Sequence, residues 1–552
     1  MAKDYVRKSG KSTSVRTSTP QMKRAREDQV KNYAGGFVFK VSDMDYVRRF
    51  LILGTDSPTY YASSKKLTKD AAKHVEKMLK SPKAVDVINE AVDVSVNGRA
   101  AKNDPAIFVL ALAANSTKPE VRKYALSKLS DVCRIFTHLA TFLTFYQNLR
   151  TESGWGRGIR SAVSRWYNER KASGVAYQMC KYPSRRVEGE TPWTHRDVLR
   201  KAHVIPVSDD HNTAFRYAVK GSEGFDGSFD SLIDTDLVYI YAHEAVKSAK
   251  SAAEVIKFID GFNVTWESVP TELRNNKTVW DALVQKMPMT ATIRNLGKMT
   301  NVGTLKDLSK NARLVADRLT DEAELKKARV HPVSLLGAMR TYGKGTGVKG
   351  SLTWSPVSVI KDALEEAFYK SFNYVEPTGK NYLIGVDVSG SMSWGNVAGM
   401  DCLTPAEGAA AMAMTIARTE KNYKIMGFAD TFRDLGITAK DSLDDALRKT
   451  SRMNFGSTDC SLPMTYASKH NLDVDVFIVI TDNETWAGRN VQPFQALKQY
   501  RAKHGCNAKL IVIGMTGTPF TIADPSDPGM LDIVGFDTNA PTIISQFVNG
   551  QL

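Results

Sequence analysis

Two rhythms of apolar residues divide the chain. From about residue 25 to 372, strings such as KDAAKHVEKMLK, KPEVRKYALSKLSDVCRIFTHLATFLTFYQNL and SAAEVIKFIDGF carry apolar residues three and four apart, the spacing that lines one face of an α-helix. Prolines such as Pro82, Pro105, Pro119, Pro206, Pro288 and Pro332 punctuate these strings. The pattern predicts short helices stacked as a HEAT-like helical-repeat solenoid of roughly eight pairs. Near Glu376-Pro377-Thr378-Gly379 the rhythm changes to short apolar runs ending in turns: YLIGVDVS, YKIMGFAD, VDVFIVITD, AKLIVIGM and LDIVGFD. Helical stretches (TPAEGAAAMAMTIART, SLDDALRKT, PFQALKQYRAKHG) lie between them. Buried strands alternating with helices predict a doubly wound parallel α/β sheet with ligand sites at the strand carboxyl ends. The expected organisation is a flexible basic tail over 1–20, a helical domain over 21–372 and an α/β domain over 373–552.

Composition narrows the class. With 552 residues, 42% of them hydrophobic and 24% charged, the chain buries a sizeable core and is neither collagenous nor disordered. The cysteines Cys133, Cys180, Cys402, Cys460 and Cys506 form no CxxC pair, which argues against a zinc knuckle or a disulfide framework. The longest strongly apolar run, AIFVLALAA from Ala106 to Ala114, is too short to span a bilayer. The first twenty residues carry no apolar secretory core. A cytoplasmic protein without a membrane partner is expected.

Charge adds a partner class. The formal net charge is +16. Residues 377–552 hold 15 basic and 18 acidic side chains, or −3, which leaves 60 basic against 41 acidic, or +19, for residues 1–376. A surplus confined to the helical part favours a polyanion, because each neutralised phosphate releases condensed counterions.

The surplus is concentrated from Arg150 to His203, with 12 Lys and Arg against 5 Asp and Glu. Trp155, Trp166, Tyr167, Tyr177, Tyr182 and Trp193 are interleaved there. Thr194 can cap a helix with Asp197 three residues on. On that helix Arg196, Arg200 and His203 share an arc of roughly 60°, while Val198, Leu199 and Ala202 share another face. One stripe packs and the other is a row of donors suited to a nucleic-acid backbone. Lys181, Arg185 and Arg186 lie in the loop just before it and could extend the row.

The α/β part carries a second chemistry. Asp387-Val388-Ser389-Gly390-Ser391 directly follows the apolar run YLIGV, Thr458 lies in FGSTDCS, and Asp482 ends VDVFIVITD. Five hard oxygens without His or Cys suit a divalent cation, Mg²⁺ first, with Mn²⁺ or Ca²⁺ as alternatives. The pattern resembles the metal-ion-dependent adhesion site of von Willebrand factor A domains. That resemblance implies that Ser389, Ser391 and Thr458 touch the metal, and that Asp387 and Asp482 act directly or through water. Phosphatase chemistry would need a carboxylate where Ser389 stands.

Longer strings widen the resemblance. GWGRGIRSAVSRWYNE, WTHRDVLRKAHVIP, LVQKMPMTATIRNLGKMTNVG, RVHPVSLLGAMRTYGKG and AFYKSFNYVEPTGKNYLIGVDVSGSM look like signature stretches of the 60 kDa Ro autoantigen, or TROVE-module, family. The resemblance implies a ring of HEAT-like repeats closed by the von Willebrand-type domain. It implies binding of small structured Y RNA on the outer surface, of single-stranded 3′ ends of misfolded noncoding RNA in a central channel, and action in RNA quality control or as an RNP scaffold. On the family pattern Lys181 and His203 hold the structured RNA, and Arg185 or Arg186 supplies the third basic position. An exoribonuclease tethered through the RNA is a further implied partner, and a monomeric protein is expected. No catalysis is expected: the glycine-rich stretch from Tyr342 to Ser351 places Ser351 where a P-loop requires Lys, and HExxH and GxSxG are absent. The alternative is a metal-dependent adhesion module whose basic helices bind acidic proteins.

Overall fold

The structure, a computed structural model, describes residues 19–54, 64–150, 154–185, 187, 191–224, 229–348, 351–372, 375–395, 397, 403–451, 456–488 and 491–552. Most of the expected 1–20 tail therefore lies outside the described residues. Among the described residues, nineteen α-helices run from Asp43–Leu53 to Ser358–Lys370. Each buries an apolar stripe against its neighbours, as the three-and-four spacing dictates. AIFVLALAA is the exception, a helix apolar all round (Asp104–Ala114) that sits at the centre of the first half of the helical part. No helix among the described residues is long and apolar enough to cross a membrane.

Eleven strands accompany the helices among the described residues. In chain order they are β1 (Gln29–Lys31), β2 (Phe37–Lys40), β3 (Ser184–Arg185), β4 (Trp193–Thr194), β5 (Asn381–Asp387), β6 (Asn422–Phe428), β7 (Phe432–Asp434), β8 (Val476–Thr481), β9 (Lys509–Gly514), β10 (Phe520–Thr521) and β11 (Met530–Val534). The main sheet has the order β11-β9-β8-β5-β6-β7, parallel except for the edge strand β7. All five apolar runs of the C-terminal part are its parallel strands; the central β5, β8 and β9 are buried almost throughout, while β6 and β11 are open at some positions. The chain passes from β5 to β6 on one side and returns to β8 on the other, so the order reverses at β5. That reversal is the place where an open α/β sheet leaves a crevice for a ligand.

One boundary differs from the sequence expectation. β1 and β2, which the helical rhythm took in from about residue 25, belong structurally with the α/β part: β2 pairs with both β1 and β10, Phe39 opposing Thr521. Val38 and Phe39 enter the same core as Phe477, Phe494 and Leu510. An extended segment of alternating residues is stable there only because a distant sheet supplies its partner, a contact that local periodicity does not encode.

The helical chain closes on itself. The Arg329 Nε donates to the Val96 carbonyl at 2.6 Å, and the His331 Nε2 bonds the Arg99 carbonyl at 3.1 Å. Arg99 in turn holds Asp537 of the α/β part through Nε at 3.2 Å and a terminal guanidinium nitrogen at 2.7 Å. On the neighbouring helix the fully buried Arg49 grips both oxygens of Asp532 at 2.6 Å and the carbonyls of Thr518 and Phe520. First helices, last helices and sheet thus meet around two arginines, and the architecture is an all-α helical-repeat ring joined to a doubly wound α/β domain.

Candidate nucleic-acid interface and metal-ion site

The basic row is assembled by a two-stranded hairpin. The helix Ala172–Lys181 ends at Lys181, the chain turns through β3, and β4 returns antiparallel with Ser184 opposite Thr194 and Arg185 opposite Trp193. Thr194 then caps the helix His195–Ala202: its Oγ1 accepts the Asp197 N–H at 3.2 Å, and the Asp197 carboxylate accepts the Thr194 N–H at 3.1 Å. This is the expected capping box. Val198, Leu199 and Ala202 are buried, while Arg185, Arg196, Arg200 and His203 are exposed. Arg186 lies outside the described residues.

Two details depart from the sequence picture. The helix stops at Ala202, so His203 is not on its face: His203 caps the end at φ 52°, ψ 51°, and the Val204 N–H closes back to the Leu199 carbonyl. The ring still sits in solvent at the end of the arginine row. Half of the interleaved aromatics, moreover, are core. Trp155, Trp166 and Tyr167 are buried, and only Tyr177, Tyr182 and Trp193 remain partly open. Their helices needed large apolar groups on the inward face, and spacing alone does not separate that use from base stacking. His195 is likewise structural, stacked on Phe136 at 3.6 Å and bonded to the Tyr167 hydroxyl at 2.9 Å. Burial lowers its pKa to about 3, so it is a neutral wall.

Beside the row lies a cleft of about 750 Å³, lined by Lys181, Arg196, Lys247 and Arg274 together with Glu244 and Glu267. Lys247 and Arg274 come from segments far along the chain and gave no local signal of belonging to the basic face. Lys181 is pre-positioned: its ammonium donates to the Tyr177 hydroxyl at 2.7 Å and lies 5.1 Å from that ring's centre.

The five-oxygen set sits at the sheet's crevice. Asp387 ends β5, Asp482 follows β8, and Ser389 and Ser391 occupy the turn after β5. Thr458 is drawn to the same end because its carbonyl accepts the N–H groups of Trp486 and Ala487 at 3.0 Å each. All five side chains are buried. One Asp387 oxygen accepts the Ser389 N–H at 2.9 Å and the other the Thr481 hydroxyl at 2.6 Å. The Ser389 and Ser391 hydroxyls lie 3.1 Å apart. Asp482 Oδ1 accepts the Glu484 N–H, whereas its buried Oδ2 has no hydrogen-bond partner among the described residues.

Burial raises the pKa of both carboxyls, and the Asp482 charge raises that of Asp387 further. Two buried carboxylates, an orphaned oxygen and two converging hydroxyls fit a hard divalent cation. Thr481 and the segment that braces the Asp482 loop were not legible as site residues. Gln21 donates to Asp459 at 2.6 Å and accepts from Thr485, while Asn32 donates to the carbonyls of Asn483 and Thr485 at 3.2 and 2.8 Å.

Two family descriptions match the chain, the TROVE domain over residues 30–341 and the Ro60 vWA domain over residues 381–548. The RNA-binding protein RO60 of Deinococcus radiodurans is 42% identical over 538 residues, covering 97% of this chain and 98% of that protein. The chain belongs to the Ro60 family. The RNA-binding protein RO60 of Caenorhabditis elegans is 37% identical over 600 residues, covering 96% of this chain and 92% of that protein. The crystal structure of the Deinococcus radiodurans RO (RSR) protein superposes with a TM-score of 0.68 at 40% identity, over 93% of this chain and all of that one. The Ro60 vWA match begins at the first residue of β5 and ends at the last residue of the helix Ala540–Val548. The TROVE match starts inside β1, although that strand packs on the vWA domain.

Proposed function

We propose that the protein binds small structured, Y-like noncoding RNA on the hairpin-borne basic face, and single-stranded 3′ ends of misfolded noncoding RNA through the ring. It would thereby act in RNA quality control or as a ribonucleoprotein scaffold. The carrying observation is the β3–β4 register. It sets Arg185 beside the cap of the helix that bears Arg196 and Arg200, and gathers five exposed or half-exposed basic groups, with Lys181 and His203, on one apolar-backed support. The relatives' names as RNA-binding proteins support the same reading. Phosphate contacts from such a face supply affinity, and the shape of the RNA supplies selection.

The reading extends to a non-enzymatic, monomeric, cytoplasmic protein that holds Mg²⁺, or Mn²⁺ or Ca²⁺, at the Asp387–Asp482 crevice, with an exoribonuclease recruited through the bound RNA. The test is binding of a small structured RNA to Arg185→Ala, Arg196→Ala and Arg200→Ala combined. Affinity should fall by about 1.5 to 3 kcal/mol for each charged hydrogen bond to phosphate that disappears, and the salt slope should flatten by about 0.9 for each phosphate released. Unchanged affinity and slope would move the RNA elsewhere.

A further inference from the structure

A smaller cavity adjoins the basic cleft, about 130 Å³ in volume, and is well below the roughly 300 Å³ of a typical small-molecule pocket. Its apolar walls include Tyr177 from the helix Ala172–Lys181, Trp266 from a short turn of helix, and Leu283 from the helix Lys277–Lys286, with Asn263 and Lys286 also at its edge. Lys181 and Glu267 line both this cavity and the larger cleft, so they form the partition between the two. One polar atom is left over here: Glu267 Oε2 is buried and has no hydrogen-bond partner among the described residues. A buried unpaired carboxylate oxygen is costly, and such exceptions in a folded protein point to an absent partner.

Aromatic walls, lysines along the lining and a carboxylate acceptor suit a single nucleobase turned out of its strand. The acceptor selects among bases. A carboxylate presents two acceptor oxygens, and guanine alone among the four RNA bases offers two adjacent N–H donors on its Watson–Crick edge. Adenine, cytosine and uracil each set at least one acceptor against it. We propose that this cavity binds one unpaired guanine of an RNA held on the adjoining basic face, with Trp266 and Tyr177 as the apolar walls and Glu267 as the reader of the N1–H and N2–H groups. The inference rests on the RNA-binding reading above, and adds to it a base-specific contact on a surface otherwise made of phosphate contacts.

The test uses the full-length protein and three hairpin RNAs of the same stem: fully paired, with a single bulged guanosine, and with a single bulged uridine. Wild type should prefer the guanosine bulge about tenfold, one good base-edge contact being worth roughly that. Glu267→Gln, nearly isosteric, should erase the preference and leave affinity for the fully paired stem unchanged. Trp266→Ala should lower affinity for both bulged hairpins, but Trp266 also stacks on Trp280 at 6.4 Å, so Glu267→Gln carries the decision. Equal, tight binding of all three hairpins by wild type would overturn the pocket and spare the RNA-binding reading. A guanosine preference that survives Glu267→Gln would also overturn it. Failure of wild type to bind any hairpin would remove the reading on which the pocket stands.

Discussion

At the scale of single residues, His331 is held neutral by its surroundings. Its Nδ1 accepts the Val333 N–H at 3.2 Å while Nε2 donates to the Arg99 carbonyl, so a second proton would point into another donor. Burial lowers its pKa to about 4, and His138 and His243 are lowered to about 4 in the same way. An unfolded histidine takes its proton near pH 6.5, so between that pH and about 4 the unfolded chain binds more protons and stability rises with pH, then levels above 6.5. Melting temperature measured from pH 4 to 8 should follow that course, and His331→Gln should make the slope shallower. The Asp482 site gives a second expectation. If the proposed Mg²⁺ site is held by Asp482 directly or through water, Asp482→Asn should lower Mg²⁺ affinity by at least about 10-fold, read by calorimetry. RNA bound by the helical face should stay bound. The sequence made Asp387, Ser389, Ser391 and Asp482 legible because each lies at or just after the end of a strand with an unmistakable apolar run. Gln21 and Thr481 were not, since one reaches the site across the fold and the other looks like any β-branched strand residue.

At the scale of elements, the capping box on His195–Ala202 both starts that helix and fixes where the hairpin delivers Arg185. Thr194→Ala should destabilise by about 1 kcal/mol and weaken RNA binding with no charge removed; thermal melts and binding isotherms check the two effects. In β5, a Cβ on Gly385 would come 2.8 Å from Pro463 and 3.3 Å from Phe428. Gly385→Ala should therefore cost about 1 to 3 kcal/mol by overpacking, seen as a lower denaturation midpoint. The strand runs and the Thr194 cap were readable because their signals lie within a few residues. β1, β2, β7 and β10 were not, because two to four residues carry no period and their stability comes from the strand beside them. The helix end at Ala202 was missed for a related reason: a left-handed His203 looks like any other residue until Val204 is seen closing back on Leu199.

At the scale of the whole molecule, closure depends on a few buried charges. Arg99 binds Asp537, Glu90 and Asp93 by its side chain and His331 by its carbonyl. Arg99→Ala would leave the buried Asp537 without its cation, a loss of about 3 to 5 kcal/mol by the measure of broken buried pairs. A melting scan should register it, with increased protease cleavage near Arg329. The two-part architecture was visible in the change of rhythm near residue 376, and the positive helical half in the charge count. The closing contacts were invisible, since Arg99 and Asp537 are 438 positions apart and any of the chain's 75 basic residues could have filled the role. The pairing of Phe39 with Thr521 has a temporal side. At roughly 5 to 20 residues per second of translation, the ribosome releases the first of these strands about 25 to 95 s before the second exists. Throughout that wait the hairpin of β1 and β2 keeps one edge open for β10, so the brace beneath the Asp482 loop is among the last pieces to dock in a newly made molecule.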